Sequence, residues 1–156
     1  MNNWFEVKMK YTKQLEDGRL KRVTEPYLID AVSFTDAEAR AYEEIGESVA
    51  GEFIITSITR KEFADIFGFE DAEDWYQCKL EYVTIDGDEG REKKVKSNFL
   101  VTASSVREAN DRIKESLSDM TVHYEIISVN LTSLVDVLPY KPDLDIELSR
   151  VAVEQG

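Results

Sequence analysis

The chain has 156 residues and a formal net charge of −13, with 42% hydrophobic and 33% charged residues. This length suits one ordinary domain or two very small units. The charge argues against general affinity for DNA, RNA or an anionic membrane, because such binding needs basic residues that neutralise phosphates. No apolar run is long enough to span a membrane, and the N-terminus lacks the order of a signal peptide. We therefore expect a soluble, cytoplasmic protein that does not bind membranes.

Three sequence segments recur in the same order about seventy residues further along the chain, which indicates an internal duplication. The matched pairs are Trp4–Tyr11 with Trp75–Tyr82, Pro26–Ile45 with Asn98–Leu117, and Ser57–Phe67 with Ser128–Leu138. Core positions repeat most faithfully, whereas polar ones diverge, as at Asp30 and Thr102. We therefore expect a duplication kept for its scaffold, with any binding site on one half or at the seam.

Each copy begins with a predicted β-hairpin. Apolar residues alternate with polar ones along the first strand, as in a half-buried strand; the inward sets are Phe5, Val7, Met9 and Tyr11, and Tyr76, Cys78, Leu80 and Tyr82. Turns are predicted at Glu16–Gly18 and Asp86–Gly90, and second strands at Thr24–Val32 and Lys96–Ser104. Residues 8–22 carry six cationic side chains and residues 91–96 carry four. Basic hairpin arms thus contrast with an acidic body.

A helix follows each hairpin. Ser33 with Asp36, and Ser105 with Glu108, fit a capping box, although Thr35 with Glu38 is an equally good start in the first copy. The buried stripes are predicted to be Phe34, Ala37, Ala41 and Ile45, and Val106, Ala109, Ile113 and Leu117. One face of each helix should therefore pack on a sheet.

A third strand is predicted at Glu52–Thr59 and again at Tyr124–Leu131, leading into apolar segments that end at Phe67 and Leu138. These segments fit either a bent continuation of the strand or a short helical turn. We predict an α+β fold of two tandem ββαβ-like repeats, mainly antiparallel, related by a pseudo-twofold axis. The repeats span residues 1–67 and 75–138, joined by an acidic linker (68–74) and followed by an extended tail (139–156). The halves share one core, in either one continuous sheet or two packed sheets.

Catalytic, metal and cofactor signatures are weak. His123 is the only histidine, and Cys78, the only cysteine, alternates with apolar residues as a core side chain does. No Gly-rich phosphate loop or CxxC motif is present. We therefore predict no catalytic residue, no metal and no cofactor. Asp65 and Asp136 occupy equivalent positions, and an axis that brought them together would allow a metal-dependent enzyme as a further alternative.

Binding is better supported than catalysis. Trp4 and Trp75 begin equivalent strands, and Lys8, Lys10 and Lys79 follow on the same, less apolar face. Aromatic side chains interleaved with lysines on a sheet can stack bases and hold phosphates, so these five residues form the candidate ligand-binding set. The alternative is that each tryptophan closes the end of its core.

The segment WFEVKMKYTKQLEDGRLKRVTEPYLIDA, together with FADIF and YEI further on, resembles an uncharacterised family of about 150-residue proteins from gut bacteria and their phages, known only as a domain of unknown function. The resemblance extends to about Pro142. It implies a cytoplasmic setting on a phage or mobile element, where small acidic proteins often bind and block host machinery.

We predict a non-enzymatic binding or regulatory protein that engages a protein partner or a small anionic ligand through its pseudo-symmetric surface. The first alternative is a protein of phage or mobile-element origin that binds single-stranded nucleic acid or mimics DNA. A short nucleic acid or a nucleotide is accordingly a second class of partner.

Overall fold

The computed structural model describes residues 3–49, 51–85, 87–88 and 90–140. In chain order, the first half contains β1 (Trp4–Gln14), β2 (Leu20–Asp30), α1 (Phe34–Glu44), a short 3₁₀ turn (Gly46–Ser48), β3 (Phe53–Lys61) and β4 (Asp65–Phe67). The second half contains β5 (Trp75–Ile85), β6 (Glu92–Thr102), α2 (Val106–Ser116), β7 (Tyr124–Leu131) and β8 (Asp136–Leu138). The predicted α+β fold of two ββαβ-like halves is confirmed. Neither described helix is long and apolar enough to cross a membrane.

The hairpins form as the alternation predicts. β1 pairs antiparallel with β2 from Trp4, opposite Asp30, to Gln14, opposite Leu20, and β5 pairs with β6 in the same way. Gly18 closes the first turn with a φ of 85°, a backbone conformation that favours glycine. In the second turn, Asp86 and Glu89 lie outside the described residues. The inward-facing side chains at the helix end of each hairpin, such as Val7 and Cys78, are fully buried.

Both helices begin at the predicted serine caps. The Ser33 hydroxyl accepts the Asp36 N–H at 3.1 Å, and the Ser105 hydroxyl accepts the Glu108 N–H at the same distance. Each acidic side chain reaches back to a backbone N–H just before its cap, which satisfies a second free donor at the helix start.

The first residue of each predicted helix stripe is not buried. Phe34 and Val106 are about half exposed, whereas Ala37, Ala41, Ala109 and Ile113 are fully buried. Both exposed residues occupy the first helical position, where the chain is still arriving from the cap. In α1 a buried arginine, Arg40, joins the stripe instead.

The strands form two four-stranded sheets, with orders β3-β1-β2-β8 and β4-β6-β5-β7. The segments that end at Phe67 and Leu138 are therefore neither bent continuations nor helical turns. Each is a separate strand of three residues that crosses to the sheet of the other half: β4 pairs parallel with β6, and β8 pairs parallel with β2. Each sheet is thus completed by the opposite repeat. Beyond Tyr140, the predicted tail lies outside the described residues.

An arginine of α2 holds the chain that leaves β4. Arg112 donates from Nη1 to the Thr102 carbonyl at 2.8 Å and from Nη2 to both carboxylate oxygens of Asp71 at 2.7 and 2.6 Å. Its guanidinium carbon lies 4.5 Å from the centre of the Phe69 ring. The Thr102 hydroxyl also accepts the Phe69 N–H at 2.6 Å. One arginine thereby fastens the end of β6 to the segment that follows the crossed strand.

Arg40, the equivalent residue of α1, makes the equivalent contacts at the other end. It donates to the carbonyl of Asp30 and, at 3.1 Å, to that of Pro139, with its guanidinium carbon 5.2 Å from the centre of the Tyr140 ring. The Asp30 carboxylate accepts the Tyr140 N–H at 3.4 Å, as the Thr102 hydroxyl accepts that of Phe69. Asp30 and Thr102 thus differ in side-chain type, but each accepts the backbone N–H of the aromatic residue that follows a crossed strand.

We expect Arg40→Ala and Arg112→Ala each to lower the free energy of unfolding by about 2 to 4 kcal/mol, because both substitutions leave carbonyl acceptors without their charged donor. Urea denaturation followed by circular dichroism measures the loss. Arg107→Ala, on the exposed side of α2, is the matched control and should change stability by less than about 0.5 kcal/mol. Equal losses in all three variants would contradict the role of Arg40 and Arg112.

Candidate functional site

The two sheets meet through a small apolar cluster on the faces that point away from the helices. Its buried members are Trp4 and Leu28 from the first sheet and Trp75 and Leu100 from the second. Side chains of the crossing segments pack around them: Phe63, Ile66, Leu134 and Val137. The halves therefore form two packed sheets with a shared seam, which decides between the two arrangements that the sequence allowed.

The five residues of the candidate ligand-binding set are only partly brought together. Trp4 and Trp75 are 6% and 9% exposed and belong to the seam cluster between the sheets, whereas the alternative interpretation placed each at the end of its own half's core. Lys8 and Lys10 are exposed further along the first hairpin, and Lys79 is half-buried on the second. Lys8 also lies 3.9 Å from the Glu6 carboxylate. Little of either tryptophan ring is left open for a base to stack on, and a joint binding role for the five stays a prediction.

Beside the cluster lies a cleft of about 380 Å³, the seam cleft, with lining residues from both halves. Those from the first half are Asn3, Arg60, Lys61, Glu62, Phe63 and Ala64, and those from the second are Lys96, Ser97 and Asn98. Three cationic side chains thus face one carboxylate in a chain whose net charge is −13. Within the described ranges, Lys61 and Lys96 form no salt bridge.

The strand pairing places Lys61 and Lys96 on the seam faces of the two sheets, whereas Arg60, opposite Phe5, belongs to the other face of β3 and lines the cleft from the end of that strand. Lys61 lies opposite Trp4 in the pairing of β3 with β1, so both project from the seam face. On β6, Lys96 and Asn98 alternate with the seam residue Leu100 and share its face. The Ala64 N–H donates to the Asn98 carbonyl at 2.8 Å, which seats the crossing chain on β6. Arg60 donates to the Asn3 side-chain oxygen at 3.0 Å.

The cationic residues of the cleft are not repeated in the other half. The positions equivalent to Arg60, Lys61 and Lys96 are Leu131, Thr132 and Thr24. Sequence reasoning counted Lys96 only among the charges of the second hairpin arm and gave Arg60 and Lys61 no role, because single surface charges along a strand are common. Alignment of the two copies could have indicated these positions, because the other copy has a neutral side chain at each of the three.

A second cavity, the seam cavity, has a volume of about 610 Å³ and lies between the crossed strands β4 and β8. Its lining residues are Trp4, Phe63, Ala64, Asp65, Ile66, Gly68, Trp75, Val137 and Pro139. Ile66 with Val137, and Gly68 with Pro139, are pairs of equivalent residues. The cavity therefore lies where equivalent segments of the two halves meet. Phe63 and Ala64 line both this cavity and the seam cleft.

The two equivalent aspartates, Asp65 and Asp136, each accept a hydrogen bond from the neighbouring backbone. Asp65 accepts the N–H of Ile66, and Asp136 accepts that of Val137, each at 2.8 Å. They start strands that belong to different sheets, and both are exposed. Among the described residues, no group of three or more His, Cys, Asp or Glu side chains is placed to hold a metal ion. His123 is exposed at the approach to β7.

Several groups outside the seam have perturbed pKa values. Burial raises the pKa of the Cys78 thiol to about 11. Burial, with the nearby Glu25 and Asp136 carboxylates, raises the pKa of Tyr27 to about 12. The pKa of Tyr11 is also raised, by burial and by its hydrogen bond to Glu25. All three groups are neutral at neutral pH even at their ordinary pKa values, and the raised pKa values extend their neutral forms to higher pH.

The folded protein should lose stability as the pH rises from about 9 to about 11. Below pH 9 the Cys78 thiol is protonated in both states, whereas between its ordinary pKa of 9.0 and its folded pKa of about 11 only the unfolded chain releases the proton. Urea denaturation at a series of pH values measures this dependence. Cys78→Ala should flatten the decline over that interval, and an unchanged slope would contradict the assigned cause.

The chain belongs to the family Domain of unknown function (DUF4494), whose model matches residues 3–140. This confirms the predicted membership of an uncharacterised family that covers nearly the whole chain. No curated protein and no solved structure matches the chain significantly.

Proposed function

We propose that this member of the DUF4494 family is a non-enzymatic binding protein that holds a small anionic ligand in the seam cleft. The observation that carries the proposal is the convergence of Arg60, Lys61 and Lys96 in one cleft of a strongly acidic chain. Of the two classes of partner suggested by the sequence, a protein or a small anion, this geometry favours the anion.

The chemistry of the lining suits an anion with several oxygen atoms. The two ammonium groups of Lys61 and Lys96 supply point charges, and the Arg60 guanidinium, whose Nη2 already donates to Asn3, adds its remaining donors. Asn3 and Asn98 contribute amide donors beside them. Because cleft walls of low dielectric concentrate the field of such charges, a ligand here is attracted more strongly than at an isolated surface lysine.

The size of the cleft limits the ligand. A volume of about 380 Å³ lies at the lower end of the range for small-molecule sites. It suits a phosphate, diphosphate or carboxylate group better than a long polymer, and the overall negative charge opposes a polyanion further.

The proposal also places the protein in the cytoplasm of gut bacteria or of cells infected by their phages, as the resemblance implies.

Inorganic pyrophosphate is a suitable first probe because it carries several negative charges and no apolar group. Isothermal titration calorimetry should detect its binding, and Lys61→Glu and Lys96→Glu should each weaken it by about tenfold or more, since each replaces an attractive charge by a repulsive one. Lys21→Glu is the matched control, because it makes the same charge change on the exposed arm of the first hairpin.

The affinity should also fall as salt is raised from about 0.05 to 0.5 M, as screening of partly exposed charges requires. Absence of pyrophosphate binding would overturn the proposal. An equal loss of binding in the Lys21→Glu control would overturn it too, because the effect would then come from net charge and not from the cleft.

A further inference from the structure

The seam cavity is unlike the seam cleft in its chemistry. Apart from Asp65, its lining residues have no polar side chain other than the two tryptophans, and Ile66 and Val137 come from the two crossed strands. Its lining also includes Trp4 and Trp75, which are the only two tryptophans of the chain. A volume of about 610 Å³ is ample for one flat ring system and falls within the range of small-molecule sites.

The cavity and the cleft are neighbours. Phe63 and Ala64 line both, so the two spaces share a wall formed by the chain that crosses from β3 to β4. A single ligand with an anionic end and an aromatic end could occupy both spaces. The apolar end would lie against the half-buried Phe63 ring and the small exposed parts of the two tryptophans.

One charged residue, Asp65, is among those that line the cavity. The Asp65 carboxylate is an acceptor with two oxygens, and its Oδ1 receives the Ile66 N–H at 2.8 Å. Its other oxygen is left for a donor on the ligand, such as the N–H of an exocyclic amine. An amine-bearing aromatic ring joined to phosphate groups meets all three requirements: a flat ring, a donor and an anionic end.

We propose that the ligand is a nucleotide whose phosphates lie in the seam cleft and whose base enters the seam cavity. This inference rests on the proposed anion-binding function and names its ligand class. The site differs from the usual phosphate-binding loops, because strand residues of two interlocked repeats supply the contacts. The asymmetry of the cleft allows one nucleotide for each chain.

The test compares ADP with inorganic pyrophosphate, which carries the same diphosphate group without adenosine. ADP should bind about tenfold or more tightly than pyrophosphate. It should also change the intrinsic tryptophan fluorescence, because both tryptophans line the cavity, whereas pyrophosphate should leave the emission nearly unchanged.

Gly68→Leu narrows the cavity without touching the cleft. A Cβ at position 68 would meet the Trp75 ring at 3.7 Å, an ordinary contact distance, and the backbone there is not in the left-handed region. This variant should bind ADP only about as tightly as pyrophosphate and should keep its affinity for pyrophosphate. Ala39→Leu, on the exposed face of α1, is the control for added apolar volume. Circular dichroism should show that both variants are folded.

The outcomes separate the two proposals. Equal binding of ADP and pyrophosphate to the parent protein would overturn the nucleotide inference and leave anion binding in place. So would an ADP preference that survives Gly68→Leu with no fluorescence change. If neither compound binds, both proposals fail together.

Discussion

The exchange of short strands between the two repeats organises the whole molecule. β4 leaves the first repeat to pair with β6, and β8 leaves the second to pair with β2. Three residues of parallel pairing are weak by themselves, since each backbone hydrogen bond contributes only about 1 kcal/mol net. The crossed strands are held because Arg112 and Arg40 bind the chain just beyond them, each through a carbonyl at the end of the second hairpin strand and an aromatic ring after the crossing. Interlocking in this way joins two units that each have a core of their own between sheet and helix, with eight buried residues in either. The expected single shared core is thus replaced by two cores and a smaller seam cluster.

The crossings also create the seam. Each half sends a short segment across to the opposite sheet. The first segment packs Phe63 and Ile66 against the seam tryptophans, and the second packs Leu134 and Val137 against them. The same passage seats Ala64 on Asn98 and places Lys61 near Lys96. The cleft and the cavity thus result from the strand exchange, because residues of the crossing segments line both of them.

The two repeats share their packing residues but differ in the charged residues of the cleft. The helix arginines Arg40 and Arg112, the serine caps and the seam tryptophans occur in both halves, whereas the cations of the cleft occur in one. A position in the core is constrained by close packing, so the two copies stay alike there. A strand end on the surface is freer to change, and at Leu131 and Thr132 the second copy lacks the charges of Arg60 and Lys61. The seam is consequently packed by equivalent residues of the two halves but differs between them in charge.

Local patterns in the sequence determined the hairpins, the helices and the burial of Cys78, because alternation and serine capping act between residues that are two to four positions apart. Comparison of the copies added the pseudo-symmetry. The same comparison aligns Arg40 with Arg112, but a charged residue in a helix reads as solvent-facing until its distant acceptors are known. Only the tertiary structure decided where the segments Asp65–Phe67 and Asp136–Leu138 pair, since a three-residue strand carries no signal for a partner far along the chain. It also decided that Trp4 and Trp75 face a common seam and that Arg60, Lys61 and Lys96 line one cleft. Such convergence depends on the path of the crossing chain, and periodicity along a single strand does not encode that path.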